Sequence, residues 1–437
     1  MLGHYIDLSW RSFKRTPLVS ALMVVAIAIG IGITMTTLSV YHMMSADPIP
    51  SKSDQLFAVQ LQTMDEGEGW FTNDDIPYQL TFQDAQNLMN SAKADAQVIM
   101  MRAGFAVHLG DEANAPKLMD ARAAGRDFFS MFNAEFIYGG AWQQSDEDNA
   151  LNKVVIEQSL SEELYGDINP VGKTLYLDKH LFEVVGVVKP VTSHIKYYDL
   201  NNGAFRPSER VIIPFSLVKE LQITTWGNSN GWKRESNRTF EERLNSEMLW
   251  LQFWVQLDSP QAKEDYQQFL VNYIQEQQKL GRFARKDPKY ALRDVNEWMQ
   301  YNQVVSEDNK ILVLLSFMFL AVCLANILGL LLAKFMRRAP EIGVRRALGA
   351  SKTQVFTQHL VEVALLGVFG GVLGIVLAQL CLWGVRESYS YYSDLAQMDW
   401  VMLASAPAIA IVACVVAGLL PAYQVCRTNP AYYLKTQ

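Results

Sequence analysis

Charge is what this chain is short of: 19% of its residues are Asp, Glu, Lys or Arg, against roughly a quarter in soluble chains. The shortage is concentrated in four windows. Residues 18–40, 311–333 and 401–425 carry no charge, and 361–384 carries only Glu362. Each window is 23 to 25 residues long, enough to cross a hydrocarbon layer of about 30 Å at about 1.5 Å per helical residue. A helix in a soluble core seldom stays apolar on every side for six turns. A soluble cytoplasmic protein is thereby excluded. The first window is longer than a signal-peptide core and no clean cleavage site follows it, so it reads as retained.

Cysteine is missing from residues 41–310. The four in the chain, Cys323, Cys381, Cys414 and Cys426, lie in or beside the apolar windows. Disulfides are excluded from that long stretch, which an ordinary core must hold together. Catalytic patterns are absent too: there is no G-x-S-x-G, no H-E-x-x-H and no Walker A motif. If ATP is used, another polypeptide binds it. His108, His180 and His194 lack the close pairing of a zinc site. Asp65-Glu66-Gly67-Glu68 and Asp74-Asp75 lack EF-hand spacing and read as solvated loop charge. We expect no catalytic residue, no metal site and no cofactor bound by this chain, and nothing in it suggests nucleic acid.

The charge that is present gives an orientation. Arg11, Lys14 and Arg15 precede the first window. Lys334, Arg337, Arg338, Arg345, Arg346 and Lys352 lie between the second and third against Glu341 alone, and Arg427 and Lys435 follow the fourth. The short stretch 385–400 holds Arg386 against Glu387, Asp394 and Asp399. The positive-inside rule puts both termini and residues 334–360 in the cytoplasm, and 41–310 outside. The outer stretch has 26 Lys and Arg against 39 Asp and Glu, which reads as a soluble acidic surface.

The expected architecture is a membrane protein of four transmembrane helices with a large α+β periplasmic domain inserted between the first two. In order, these are an amphipathic helix (1–17), span one (18–40), the outer domain (41–310), span two (311–333), a cytoplasmic loop (334–360), span three (361–384), a short outer loop (385–400), span four (401–425) and a tail (426–437). On the first helix Leu2, Ile6, Trp10 and Phe13 share a face that suits the membrane surface. In the outer domain, β-branched and aromatic content predicts strands at 55–62, 153–157, 174–177, 182–188, 210–214 and 250–257. Thr81 and Asp84 predict a capping box that opens a helix to about Ser91. Ser259-Pro260 opens another, carrying Tyr266, Phe269, Leu270, Tyr273 and Ile274 at helical spacing. Residues 197–243 read as long loops. Two clusters of elements suggest two subdomains.

Residues 337–350 form the most informative stretch. Pro340 suits a first helical turn, Glu341 complements the dipole behind it, and Gly349 suits the end. Ile342, Val344 and Leu348 are expected to be available to a partner's groove; an interfacial anchor is the blander reading. In span three, Gly367, Gly371 and Gly374 fall in small-xxx-small patterns, and span one offers Ala26, Ile27, Ala28, Gly30 and Gly32. These suit close helix packing, within the chain or at a dimer seam. Glu362, the lone acid of the spans, is expected at the cytoplasmic boundary, wet or paired with Arg345, Arg346 or Lys352. Thr34, Thr36, Thr37, Asn326 and Gln379 make no polar stripe through the spans, so cargo is expected to meet residues 41–310.

The run from Val154 to Asp178, then Phe182-Glu-Val-Val-Gly-Val-Val188, resembles the periplasmic core domain of MacB-type ABC permeases. Glu341-Ile-Gly-Val-Arg-Arg-Ala-Leu-Gly-Ala350, Glu362 and the span-three glycines resemble the FtsX-type permease domain. Gly418-Leu-Leu-Pro-Ala422 with Asn429-Pro430 resembles its ending, and Leu8 to Pro17 its opening. The resemblance implies a dimeric permease of the MacB/FtsX (type VII) class, paired with itself or a paralogue. It also implies ATP and Mg²⁺ on a separate ABC ATPase subunit, since no fused ATPase precedes these spans. Glu341, Ile342, Gly343, Val344, Arg345, Arg346 and Leu348 would form the coupling helix. ATP-driven motion would reach the outer domains and expel an antimicrobial compound or peptide, with a MacA-like adaptor and an outer-membrane duct as further expected partners beside membrane lipid. A lipoprotein-releasing permease and an FtsX-like regulator of periplasmic enzymes are the alternatives.

Overall fold

The computed structural model describes residues 2–69, 72, 75–110, 115–190, 195–388, 398 and 400–427. Asp74, His194, Asp394, Asp399, Asn429, Pro430 and Lys435, named above, lie outside the described residues. Two compact units emerge. One is helical, Met1–Ala46 with Val305–Gln437, and the other is Asp47–Val304.

The helical unit begins with Leu2–Arg15 and continues into four long apolar helices, Pro17–Ser45, Glu307–Met336, Lys352–Ser388 and Trp400–Arg427. By length and hydropathy these fit a multi-pass membrane protein. They overrun the uncharged windows at several ends, because a charge ends the hydrocarbon but not the backbone hydrogen-bond ladder. Met23, Ile27, Ile31 and Met35 of span one, four residues apart and so along one side of the helix, are fully buried. Glycines let the spans approach closely. A Cβ on Gly370 would stand 2.4 Å from Ile27, one on Gly374 2.8 Å from Ile31, and one on Gly367 2.9 Å from the Ile411 backbone.

The α+β unit is built on one ten-stranded sheet. Its strands are β1 (Leu56–Leu61), β2 (Ala96–His108), β3 (Lys117–Ala124), β4 (Phe136–Gly139), β5 (Lys153–Glu157), β6 (Thr174–Leu177), β7 (His180–Val188), β8 (Val211–Pro214), β9 (Gln252–Gln256) and β10 (Tyr290–Asp294). The order is β10-β1-β9-β2-β3-β8-β5-β7-β4, with β6 bridging β2 and β7. Pairs β3–β8 and β5–β7 are parallel, the rest antiparallel. Alternation divides the side chains between two cores. Phe57, Ile99, Met101, Ala123, Val211 and Phe253 join one face, under the helices Phe82–Ser91 and Pro260–Lys279. Ala58, Val98, Met100, Ala124, Ile212 and Trp254 join the other, under short helices.

The helix at Ser259 starts as its sequence requires. At Thr81 only half of the expected capping box forms: the Asp84 carboxylate accepts from the Thr81 hydroxyl and not from its backbone. The Thr81 side chain accepts from the Asp84 backbone, and Ser259 from Ala262. Where two subdomains were expected, the strands of both clusters join one sheet. The link is β2, which at thirteen residues pairs with β3, β6 and β9.

Candidate coupling site

The loop between spans two and three folds into the helix Ala339–Ala347, with Pro340 and Glu341 in its first turn and Arg345 and Arg346 in its last. Gly349, at φ +103°, closes it. The Ala350 N–H donates to the Arg345 carbonyl at 3.1 Å and the Gly349 N–H to Arg346 at 3.1 Å, the double bond pattern of a left-handed glycine cap. The helix presents two unlike faces. Ile342 and Gly343 are buried within the unit, while Val344 is 48% and Leu348 84% exposed. Ile342 is therefore not available to a partner, contrary to expectation. The reason is geometric: residues two apart point about 200° apart around a helix, so Ile342 and Val344 cannot share a face. Glu341 sits between two arginines, Arg345 at 2.7 Å and Arg15 of the N-terminal helix at 3.3 Å. Arg346 donates to the Cys426 carbonyl at 3.1 Å.

Directly behind this helix lies a buried polar knot centred on Glu362, which is 0% exposed. Its Oε1 takes Lys334 Nζ at 2.7 Å and the Ser12 hydroxyl. Its Oε2 faces Arg338 at 3.9 Å and His359 at 3.7 Å. Arg338 also donates to the Ser12 hydroxyl at 2.5 Å and to the Ser12 carbonyl at 3.1 Å. Lys334 reaches Ser20 of span one at 3.2 Å. Glu362 is thus neither wet nor held by Arg345, Arg346 or Lys352. Part of the signal is in the sequence: His359 and Glu362 are three apart on one helix face, whereas Lys334 lies in the last turn of span two and Arg338 stands at the turn that caps the next helix. Charge buried this deeply needs a partner, and Lys334 and Arg338 supply it.

The residues expected to pack helices are used inside the unit. Gly30 lies against Leu320 and Cys323, Gly371 against Pro407 and Ala410, and Gly367 and Gly374 against the residues given above. Ile27 is buried and Ala26 packs at the edge of the same core. None of Gly30, Gly367, Gly371 and Gly374 is exposed for a second copy.

A second buried charge cluster, in the α+β unit, was not anticipated. Arg122 on β3 is fully buried, and its Nη2 meets Asp199 Oδ2 at 2.5 Å and Glu209 Oε1 at 2.6 Å. Lys196 joins Glu209 at 3.0 Å, and the Tyr198 hydroxyl donates to Glu209 at 3.3 Å. Burial alone would raise the Glu209 carboxyl, but Arg122 and Lys196 hold it well below its usual range. Asp199 is raised, chiefly by burial. Gly172-Lys173-Thr174 has the closing residues of a phosphate loop, yet it follows the helix Gln158–Tyr165 and enters β6, the reverse of the strand–loop–helix order that cradles phosphates. Among the described residues no group of three or more His, Cys, Asp or Glu is placed to hold a metal.

Residues 20–272 match the family described as MacB-like periplasmic core domain, and residues 313–430 the family described as FtsX-like permease C-terminal. The chain belongs to the MacB/FtsX-type ABC permeases. The macrolide export ATP-binding/permease protein MacB of Neisseria gonorrhoeae is 22% identical over 317 residues, covering 70% of this chain and 42% of that protein. The pyoverdine export ATP-binding/permease protein PvdT of Pseudomonas aeruginosa is 26% identical over 314 residues, covering 71% and 41%. The chain therefore spans less than half the length of these relatives. A crystal structure of the periplasmic region of MacB from Actinobacillus actinomycetemcomitans aligns at 15% identity with a TM-score of 0.36, over 58% of this chain and 94% of that one. The FtsX-like match takes in both the Ala339–Ala347 helix and Glu362. The MacB-like match takes in span one and the Arg122 cluster.

Proposed function

We propose that this MacB/FtsX-type permease relays ATP-driven motion from a separate ABC ATPase subunit, which binds ATP and Mg²⁺, to the unit Asp47–Val304. The observation that carries the reading is the two-faced helix Ala339–Ala347. Its inner face is bound into the bundle by Ile342, while Val344 and Leu348 are left for a partner. Its root, through Arg338, belongs to the Glu362 knot. A push on the exposed face would reach the N-terminal helix and spans one to three together. The basic loops support cytoplasmic termini, with Asp47–Val304 on the other side of an inner membrane. The relatives' names, macrolide export and pyoverdine export, support export of a small compound or peptide; a dimeric permease working with a periplasmic adaptor and an outer-membrane duct belongs to the same proposal.

The test is capture of the tagged full chain from its native membranes, with the ATPase identified by mass spectrometry. Changing Val344→Asp and Leu348→Asp together should weaken that capture about tenfold or more, because truncating or charging central anchors is worth about 2 kcal/mol. Both positions are exposed, so folding is spared. Unchanged capture with full transport activity would sink the reading.

A further inference from the structure

The α+β unit holds a cavity of about 290 Å³ beside β5 and β8, at the small end of ligand-binding pockets. Phe128, Phe132, Tyr197 and Tyr198 form much of its wall, with Glu135, Glu157, Lys189 and Glu209 among its polar lining. The rings are held in place by one another. Phe132 meets Tyr197 at 5.8 Å and Tyr198 at 5.3 Å between centroids, and Phe128 meets Tyr198 at 5.5 Å. The wall is accordingly formed before any guest arrives.

The charges of the lining do not all cancel. Glu135 pairs with Lys189 at 2.6 Å. Glu209 belongs to the balanced set of Arg122, Lys196 and Asp199. Among the described residues Glu157 has no ion pair, although it is only 9% exposed. One of its oxygens, Oε1, accepts from the Ser159 N–H at 3.2 Å and the Ser159 hydroxyl at 2.6 Å, which caps the helix Gln158–Tyr165. Among the described residues its other oxygen carries no hydrogen bond, and it is not sealed off from the cavity space. A nearly buried carboxylate with one open oxygen, on a cavity walled by aromatic rings, calls for a cation. A hard metal ion would need several oxygens and finds one.

We infer that this cavity binds a small organic ammonium, one positive charge on an apolar body, with Glu157 as its counter-ion and the tyrosine and phenylalanine rings around it. The site goes beyond the transport reading and does not rest on it, because binding is measured on the full chain with no ATPase present. The full chain in dodecyl maltoside micelles, which carry neither charge nor amine, is titrated by ligand-observed NMR with benzyltrimethylammonium, benzyl alcohol and benzoate. The cation should bind about tenfold more tightly than either of the others, the size of a desolvated cation–π and ion-pair contribution. Glu157→Gln keeps a cap acceptor and should remove most of that preference. Ser208→Trp, at a partly exposed lining position, should block the cavity to all three probes without touching Glu157. Equal binding of cation and benzoate by the native chain would overturn the site. So would native-like cation binding by both variants. If Glu157→Gln does not fold, the three-probe series and Ser208→Trp still decide.

Discussion

Two knots of buried charge, one in each unit, solve the same problem differently. In the α+β unit, Arg122 and Lys196 face Asp199 and Glu209, two charges against two, all within one sheet and the turns packed on it. In the helical unit, Lys334 and Arg338 share Glu362 alone, and the contacts reach the N-terminal helix and spans one, two and three. The first knot is balanced and local, as suits a cluster that fixes the packing of one core. The second has a cationic surplus and joins four separate helices, with neutral hydroxyls from Ser12 and Ser20 completing it. Its strength therefore depends on how those helices stand to each other, which suits a joint between parts that must move as one.

Removing Arg122 should have the largest effect, because it strands Asp199 and Glu209 with Lys196 alone. Arg122→Met should destabilise the α+β unit by about 4 kcal/mol, the scale of breaking a buried ion pair from one side. Thermal melting of the full chain, followed by tryptophan fluorescence, should show unfolding move to lower temperature. A shift within error would mean the cluster is wetter than its burial indicates.

Glu362→Gln comes next, at about 3 kcal/mol, since Lys334 and Arg338 lose their counter-charge but keep their hydroxyl partners. The comparison is sharpened by a double-mutant cycle. Lys334→Met combined with Glu362→Met should recover at least about 1 kcal/mol of the summed losses. Strict additivity in unfolding of the purified chain would show that the two residues do not act as a pair. At the small end stands Arg15→Gln. Its pair with Glu341 has side chains 66% and 41% exposed, so salt screens it and the loss should stay below about 0.5 kcal/mol. A larger loss would promote this surface pair to part of the joint.

The legible and illegible parts of the sequence separate for physical reasons. The spans were plain because hydrocarbon tolerates no charge, and strands β1 and β5–β9 because Val, Ile, Phe and Trp alternate or cluster there. Strands β2 and β3 went unseen. Their Ala, Met and Arg residues, as in Met100-Met-Arg-Ala103 and Asp120-Ala-Arg-Ala-Ala124, are good helix formers that pairing overrides. The start and end of the helix Ala339–Ala347 could be read from Pro340 and Gly349, yet its inward face could not, because which side of a nine-residue helix is buried depends on the bundle around it. The Arg122 cluster was hidden for a related reason. Its members lie up to 87 residues apart in the chain, and only the parallel pairing of β3 with β8 brings them together.

Span three is the longest element, 37 residues from Lys352 to Ser388, or about 55 Å at about 1.5 Å per residue. That is nearly twice the thickness of the hydrocarbon layer. Its tightest approaches to spans one and four, at Gly367, Gly370, Gly371 and Gly374, fall at the middle of its length. Such a rod has its fulcrum at the glycines and two arms of similar reach. A tilt of about 10° there swings each end by about 5 Å, in opposite directions. Glu362 lies on one arm, a little over one turn from the first of these glycines, so the knot grips the rod close to its fulcrum. On the relay proposed above, a small displacement at the grip would be returned as a larger one at the far tip, near Ser388.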